Sequence, residues 1–258
     1  MNPVAIFAAT RWEIHALQRA LPIDRTVTIN GVPCSIGQCN GRTYWIVRTG
    51  IGPQAACRVA ERLLTDQALS VAVSAGFACA LTSAQVGDLL VADDVRPVGK
   101  EVVPAEGSEC TTVCDRAVTS EIMAAAERVL VPVHRGKVLS SSAVVWRAKD
   151  KRELSRVPGA IGLDMESAAL GSIAARHGVP FVVARTLSDL VDEELPFDFN
   201  LFLRPAGWAK GVWSLVTQPS SVIGLNRLRI QSRIASDRLT EVVTAWAAEW
   251  SGPASQES

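Results

Sequence analysis

Several carboxylates in this sequence directly follow apolar stretches of strand length. Glu13 comes shortly after "VAIFAA", Asp164 and Glu166 lie in "GLDMESAAL", and Asp189 ends "VVARTLSD". Ligands of open α/β sheets bind at the carboxyl ends of strands, so polar side chains at these positions are candidates for a site. Carboxylates suit general acid–base chemistry, in which one group donates a proton and another accepts one. The sequence therefore marks them as candidate catalytic groups.

The same residues also have a structural interpretation. Asp164 is well placed to cap the N-terminus of a helix, and Glu166 would then lie in its first turn, where backbone N–H groups and the helix dipole favour negative charge. The polar run "RTLSD", residues 185–189, could equally begin the next helix as a capping box. Both interpretations stay open at this point.

Strand-length apolar runs alternate with segments of helical spacing, which predicts an α/β sheet covered on both faces. The predicted strands are "PVAIFAAT", "LSVAVSAGFA", "GDLLVADDV", "GKVLSSSAVV" and "FVVAR". Helices are predicted from Arg11 with Thr10 as cap, over "GPQAACRVAERLL", near 117–130, and from "GLDMESAAL" to the glycine cap of "HGVP". Asn40-Gly41 predicts a hairpin, and a loop-rich region is expected from about 96 to 115.

The length, charge and cysteine content of the chain limit its domain number and the partners that we expect for it. A chain of 258 residues with 48% hydrophobic content predicts a single domain. Its 26 basic and 26 acidic residues create no global field for nucleic acid or an anionic membrane. The N-terminal apolar run is too short for a signal peptide or membrane span, so a cytoplasmic protein is expected. The six cysteines, including the closest pair Cys110 and Cys114, are interpreted as reduced packing residues rather than metal ligands or disulfides.

These stretches resemble the purine nucleoside phosphorylase and nucleosidase superfamily, most closely its 5'-methylthioadenosine/S-adenosylhomocysteine nucleosidase branch. The similarity runs from "AATRWEIHAL" through "RTGIGPQAA", "AVSAGFACAL" and "VGDLLVADDV" to "LDMESAAL" and "VVARTLSD", about residues 4–200. The pair "DMES" and "RTLSD" is its most specific part. The resemblance implies a three-layer α/β/α sandwich with a mixed central β-sheet, and cleavage of the N-glycosidic bond of a purine nucleoside, with adenine as the expected base. It also implies a homodimer and no metal or organic cofactor.

The resemblance also implies a role for each candidate. Asp189, oriented by Ser188, would protonate purine N7, which requires a carboxyl group that a dry pocket keeps protonated. Glu166 would accept hydrogen bonds from the ribose hydroxyls, and Met165 would pack against the ribose. Glu13 would activate the attacking water.

Two other stretches match the family less completely. The family has a glycine-rich turn with a small hydroxyl residue after the third core strand, whereas this chain reads "GFAC", with Gly76 kept, Phe77 in place of the hydroxyl residue and Cys79 in place of a glycine. Val144 and Val145 fall where relatives place a pair of residues on the base, although they could be ordinary strand residues. Binding of water or phosphate at the altered turn is therefore open.

Hydrolysis and phosphorolysis differ in the nucleophile. Phosphate requires cationic ligands, and the nearby cations are Arg11, Arg48 and Arg185; Arg48 precedes the "TGIG" turn, whose backbone could approach an anion. Each could equally be an ion-paired or solvated arginine. Because Glu13 favours water, hydrolysis is the leading prediction. Phosphorolysis, with inorganic phosphate as co-substrate, is the alternative.

From about residue 205 the chain is predicted to carry a helical C-terminal extension. Its pattern resembles hopanoid-associated phosphorylases, which implies a lipid-linked adenine nucleoside, adenosylhopane, as the alternative substrate. A helical stripe of apolar residues is formed by Leu225, Leu228, Ala235, Leu239, Val242 and Trp246. We expect this stripe to pack on its own domain or a partner subunit in preference to a membrane surface.

A function of another class is a nucleoside- or lipid-binding protein whose altered "GFAC" turn has impaired catalysis. The acid, the base and the ribose-binding carboxylate argue against it, because binding alone does not need all three. A Rossmann-type dehydrogenase is disfavoured because no GxGxxG follows the first strand. Nucleic-acid binding is not expected.

Overall fold

A mixed ten-stranded β-sheet organises the described part of the chain, which comprises residues 2–99, 111–196, 200 and 220–250 of a computed structural model. The strands are β1 (Val4–Ala8), β2 (Ile23–Ile29), β3 (Val32–Cys39), β4 (Arg42–Arg48), β5 (Val71–Ala80), β6 (Leu89–Val98), β7 (Thr112–Val113), β8 (Val133–Ser141), β9 (Ala160–Asp164) and β10 (Phe181–Asp189). The helices are α1 (Arg11–Ala20), α2 (Pro53–Leu64), α3 (Arg116–Arg128), α4 (Ala148–Leu154), α5 (Ser167–Arg176) and α6 (Ser220–Glu249).

Strand β5 is the centre of the sheet. It pairs in parallel with β1 and β10, and its last residues pair antiparallel with β9. Strands β10, β6, β8 and β9 pair in that order, so they close a ring back to β5, while β4, β3 and β2 extend outward from β1. Because β1, β5 and β10 are parallel, their carboxyl ends meet at one edge of the sheet.

Helices cover both faces of this sheet, in agreement with the predicted three-layer sandwich. Helices α1, α3 and the second half of α6 bury residues such as Leu17, Ile122 and Leu239 in one apolar cluster. On the other face, α2 and α5 bury Leu63 and Ile173 in a second cluster. The sheet is thus buried on both sides, as expected for strands with nearly continuous apolar runs.

Two local signals placed elements correctly. Thr10 caps α1 in a capping box in which its hydroxyl accepts from the Glu13 N–H, and the Glu13 carboxylate accepts from the Thr10 N–H. Asn40-Gly41, with φ of 48° and 72°, makes the β3–β4 hairpin. A second hairpin, β2–β3, turns at Asn30-Gly31 with φ of 48° and 77°; it was not predicted, although the same dipeptide signals it.

The C-terminal helix α6 packs on its own chain through its second half. The side chains of Ala235, Leu239, Val242 and Trp246 are buried against α1 and α3, whereas Leu225 is exposed. The start of the predicted extension, between 201 and 219, lies outside the described residues. Among the described helices, none has a stretch long and apolar enough to cross a membrane.

The described cysteines agree with the interpretation as packing residues. Cys34, Cys39, Cys57, Cys79 and Cys114 are all free thiols, and three of them are buried. Burial raises the pKa of Cys34 to about 11 and that of Cys114 to about 12, which keeps these thiols neutral. Cys110, the other member of the closest pair in sequence, lies outside the described residues.

Candidate functional site

A cavity of about 210 Å³ opens where β1, β5, β9 and β10 end. Predicted site residues that line it are Glu13, Phe77, Val144, Val145, Met165, Glu166, Ser188 and Asp189. Arg185 is fully buried beside it, and Gly76 is the β5 residue paired with Arg185. The structure therefore brings Glu13 together with Glu166 and Asp189, which lie more than 150 residues further along the chain.

Glu13 is held in place by donors from two elements. Its Oε2 accepts from the backbone N–H of Ala9 at 3.0 Å, from the Thr10 N–H at 2.6 Å and from the Thr10 hydroxyl at 2.9 Å. Its Oε1 accepts from the Phe77 N–H at 2.8 Å. The capping role and a role in the cavity are therefore compatible, because one carboxylate caps α1 and lines the site. Its buried position fixes both oxygens relative to β5.

The predicted helix cap in "GLDMESAAL" is wrong in detail. The N-cap residue of α5 is Glu166, and Asp164 is the last residue of β9. Asp164 still accepts from the backbone N–H of Ser167, at 3.2 Å, and from the Ser167 hydroxyl. The Glu166 side chain makes no capping bond and instead accepts from the Gly52 N–H at 2.7 Å. The sequence spacing placed both carboxylates near the helix start, but the helix begins two residues later than predicted, so that Glu166 takes the N-cap position and Asp164 precedes it.

Arg185 joins these carboxylates. Its guanidinium is 1% exposed and lies 2.9 Å from Asp164, 3.6 Å from Glu166 and 3.7 Å from Glu13. It also donates to Ser74 Oγ at 2.8 Å. Three carboxylates thus share one guanidinium in a buried cluster, and the cluster carries excess negative charge when all of them are ionised.

The buried cluster changes the pKa of the Glu166 carboxyl group. Burial, the largest cause, and the charges of Asp164 and Glu13 together raise the pKa of Glu166 from 4.5 to about 7. This is the net result, because the guanidinium of Arg185 and the N–H of Gly52 act in the opposite direction. The carboxyl group therefore changes its protonation state near neutral pH.

Steric contacts explain why the altered turn "GFAC" has a glycine at position 76. A side chain at Gly76 would collide with the Glu13 carboxylate and with Arg185 Nη1, and the φ of 155° is unfavourable for other residues. The contact from this turn to Glu13 is made by the backbone N–H of Phe77, and the Phe77 side chain packs against the core instead. Replacement of the family's small hydroxyl residue therefore leaves this backbone contact in place.

The acid candidate Asp189 has a partner that sequence reasoning missed. Lys151 of α4 is 0% exposed, and its Nζ lies 2.6 Å from Asp189 Oδ2. Ser188 Oγ donates to the other oxygen, Oδ1, at 3.1 Å. Asp189 is therefore ion-paired with a buried lysine, a partner that the expectation of a dry pocket did not include. The sequence does contain a signal for this lysine. Lys151 lies three residues from both Ala148 and Leu154 in "RAKDKREL", a helical spacing that places it on the same buried face.

Val144 and Val145 follow β8, which ends at Ser141, so they are not strand residues. Both line the cavity. Asn200 fixes the backbone here: its Oδ1 accepts from the Val144 N–H at 2.8 Å, and its Nδ2 donates to the Val144 carbonyl at 2.9 Å. Apolar side chains are thus held at one wall of the cavity.

The phosphate candidates do not reach the cavity. Arg48 at the end of β4 and Arg11 at the start of α1 are both exposed, and neither belongs to the lining. Within the described part of the chain, the lining contains no arginine or lysine. Arg185 is the nearest predicted cation, and its charge already faces the buried carboxylates.

Solved structures share this fold over nearly their whole length. A putative methylthioadenosine nucleosidase from Weissella paramesenteroides has a TM-score of 0.71 at 20% identity, over 96% of this chain and 99% of that one. Futalosine hydrolase of Helicobacter pylori has a TM-score of 0.70 at 16% identity, over 94% and 97%. A 5'-methylthioadenosine/S-adenosylhomocysteine nucleosidase from Colwellia psychrerythraea, in complex with adenine, has a TM-score of 0.70 at 19% identity, over 96% and 97%. These spans reach well beyond residue 205.

The family model described as "Phosphorylase superfamily" matches residues 3–206. This range is well over half of the chain and contains every candidate site residue, from Arg11 to Asp189. The match confirms the resemblance seen in "DMES" and "RTLSD", and with it the expectation of an enzyme of this kind. The chain belongs to the phosphorylase superfamily.

Proposed function

We propose that this protein hydrolyses the N-glycosidic bond of a purine nucleoside, with adenine as the expected base. The observation that carries the proposal is the convergence of Glu13, Glu166 and Asp189 on one cavity from the ends of three strands. Apolar side chains of Val144 and Met165 line the same cavity, which suits the flat base and the sugar. A simple binding site would have no need for this set of carboxylates.

The proposed reaction uses each carboxylate once. Glu13 takes a proton from water, and the water oxygen forms a bond to the anomeric carbon of the ribose. The bond from that carbon to the base breaks, its electron pair goes to the base, and Asp189 supplies a proton to purine N7. Glu166 in its ionised form accepts hydrogen bonds from the ribose hydroxyls, and these strengthen as positive charge develops on the sugar.

The electrostatics favour water over phosphate as the nucleophile. A phosphate dianion would enter a cavity whose described lining holds carboxylates and no cationic side chain. The same negative charge stabilises an oxocarbenium-like sugar, which is positively charged. Phosphorolysis, including cleavage of a lipid-linked adenine nucleoside such as adenosylhopane, is the alternative that the experiment below must separate.

The structural relatives guide the choice of substrates. The fold is shared with proteins named as methylthioadenosine nucleosidases and as futalosine hydrolase. A panel should therefore contain adenosine, 5'-methylthioadenosine, S-adenosylhomocysteine, futalosine and a lipid-linked adenosine. Homodimer formation, a cytoplasmic location and the lack of a metal or organic cofactor stay predictions.

The test is release of the free base, measured by chromatography with and without inorganic phosphate. Hydrolysis predicts base and free ribose in the absence of phosphate, whereas dependence on phosphate with ribose 1-phosphate as product would favour phosphorolysis. Asp189→Asn and Glu13→Gln should each lower kcat by about 100-fold or more, since general acid–base catalysis contributes about 10²–10⁴. Glu241→Gln, an exposed change of the same chemistry, serves as the control. Binding without base release from any member of the panel would support the binding protein instead.

A further inference from the structure

Lys151 is a buried cation that the proposed mechanism has not used. Its side chain is 0% exposed, and its Nζ donates to Asp189 Oδ2 at 2.6 Å, to the Glu193 carbonyl at 2.9 Å and to the Leu190 carbonyl at 3.3 Å. These three acceptors match the three protons of an ammonium group. Burial of an ammonium group is unfavourable unless it is paired and hydrogen-bonded, so this lysine is a built feature of the site.

We propose that Lys151 is a positioning residue that makes Asp189 an effective acid, an inference that rests on the proposed function. By binding Oδ2, the ammonium fixes the carboxyl group against α4, while Oδ1, beside Ser188, remains for proton exchange at the cavity. When the proton of Asp189 moves to purine N7, the negative charge left on the carboxylate is shared with the ammonium. Lys151 keeps all of its own protons, so the transfer is balanced without it.

This arrangement acts on the charge that proton transfer creates. An ammonium at hydrogen-bond distance stabilises the carboxylate that Asp189 becomes when its proton moves to the base. A pure packing role would not require a cation at position 151, so recovery of kcat by a second cationic residue distinguishes the two.

Other ionisable groups surround the pair and must be accounted for. By element, they are Cys79 on β5, Glu166 after β9, Arg152 on α4, and Asp192 and Glu193 after β10. Burial raises the pKa of the Cys79 thiol well above its ordinary value, so it stays neutral. The Glu193 carboxylate is paired with Arg227, and Arg152 with Asp192 at the surface. None of these groups supplies a second buried cation to Asp189 among the described residues.

The experiment compares Lys151→Met with the conservative Lys151→Arg. We measure kcat and KM with the nucleoside that the wild type cleaves best. Lys151→Met should lower kcat by about 10- to 100-fold with KM changed less than about threefold, because the proposed role of Asp189 is in proton transfer and not in binding. Lys151→Arg, which keeps the cation, should recover most of that kcat. Equal losses of kcat in both variants, or a loss that falls mainly on KM, would overturn the inference.

The single variant Lys151→Met leaves the buried Asp189 carboxylate without its partner and could therefore fold poorly. A double variant covers this case. Asp189→Asn with Lys151→Met removes both charges, and circular dichroism checks its fold. If Lys151 acts through Asp189, the second change costs little activity beyond Asp189→Asn alone. Additive losses would contradict the inference. A wild type that cleaves no nucleoside would instead overturn the proposed function, which separates the two failures.

Discussion

Replacing Glu166 by glutamine should stabilise the folded protein at alkaline pH while removing the proposed activity. In the folded state, burial and neighbouring carboxylates raise the pKa of Glu166 from 4.5 to about 7. In the unfolded state the group is in water. Above pH 7 the native protein must therefore keep a charge in an environment that disfavours it. Glutamine has nearly the same shape and carries no charge.

The sign and size follow from proton linkage. Between the unfolded and folded pKa values, the native state binds more protons than the unfolded state, so the free energy of unfolding falls as pH rises through this range. One pKa unit corresponds to about 1.36 kcal/mol, so the change from 4.5 to about 7 amounts to roughly 3 kcal/mol above pH 7. At pH 5 the effect is under about 1 kcal/mol, because the native group is already protonated.

The assay is urea denaturation of wild type and Glu166→Gln at pH 5 and pH 8. We expect the variant to gain roughly 3 kcal/mol at pH 8 and little at pH 5. Glu241→Gln on the exposed side of α6 is the matched control, since its carboxylate faces solvent and pairs only with Arg238 among its described contacts. A Glu166→Gln variant as stable as wild type at both pH values would refute the electrostatic reasoning for the site.

Other predictions test the sugar contact, the turn and the C-terminal helix. The kcat/KM of the wild type should fall about tenfold per pH unit below about pH 7, because the proposed contact with the ribose hydroxyls requires Glu166 in its ionised form. Gly76→Ala should lower kcat/KM by about 100-fold by displacing the Glu13 carboxylate, which we propose activates water. Gly159→Ala, with positive φ but open space, should leave kcat/KM unchanged in the same steady-state assay. Leu239→Ala should cost about 2–5 kcal/mol in urea denaturation, and the exposed Leu225→Ala under about 1 kcal/mol.

Sequence patterns predicted the core of the fold because its elements are long and strongly periodic. The buried strands β1, β5, β6 and β10 and the helices α1, α2, α3 and α5 lie close to their predicted positions. Strand β9 was missed because it has only five residues and its end, "GLD", was assigned to the start of the next helix. Helix α4 was missed because Ala148 and Leu154 are its only apolar residues. Strand β2 is half exposed and was missed for a different reason, because "IDRTVTI" lacks a continuous apolar run.

The candidate site was predictable to the extent that strand ends mark it. Glu13, Glu166 and Asp189 could be found because each follows an apolar run or lies in a family motif, and all of them line the cavity. Lys151 could not be found in this way, because its role depends on a three-dimensional contact between α4 and the end of β10. The family motifs "DMES" and "RTLSD" lie at strand ends, so they do not include a residue that reaches the site from a neighbouring helix.

The end of β10 shows how a local irregularity serves the site. In a regular strand, adjacent side chains point to opposite faces, so Ser188 and Asp189 could not both face one cavity. The pairing of β10 with β5 shifts register here, since Leu187 pairs with Ala78 and Asp189 with Cys79, which leaves Ser188 as an extra residue. Such a bulge re-aims side chains and ends regular pairing, and both residues line the cavity. Arg185 lies before the bulge and remains buried among the carboxylates, so one strand supplies both the buried cation of the cluster and the proposed acid.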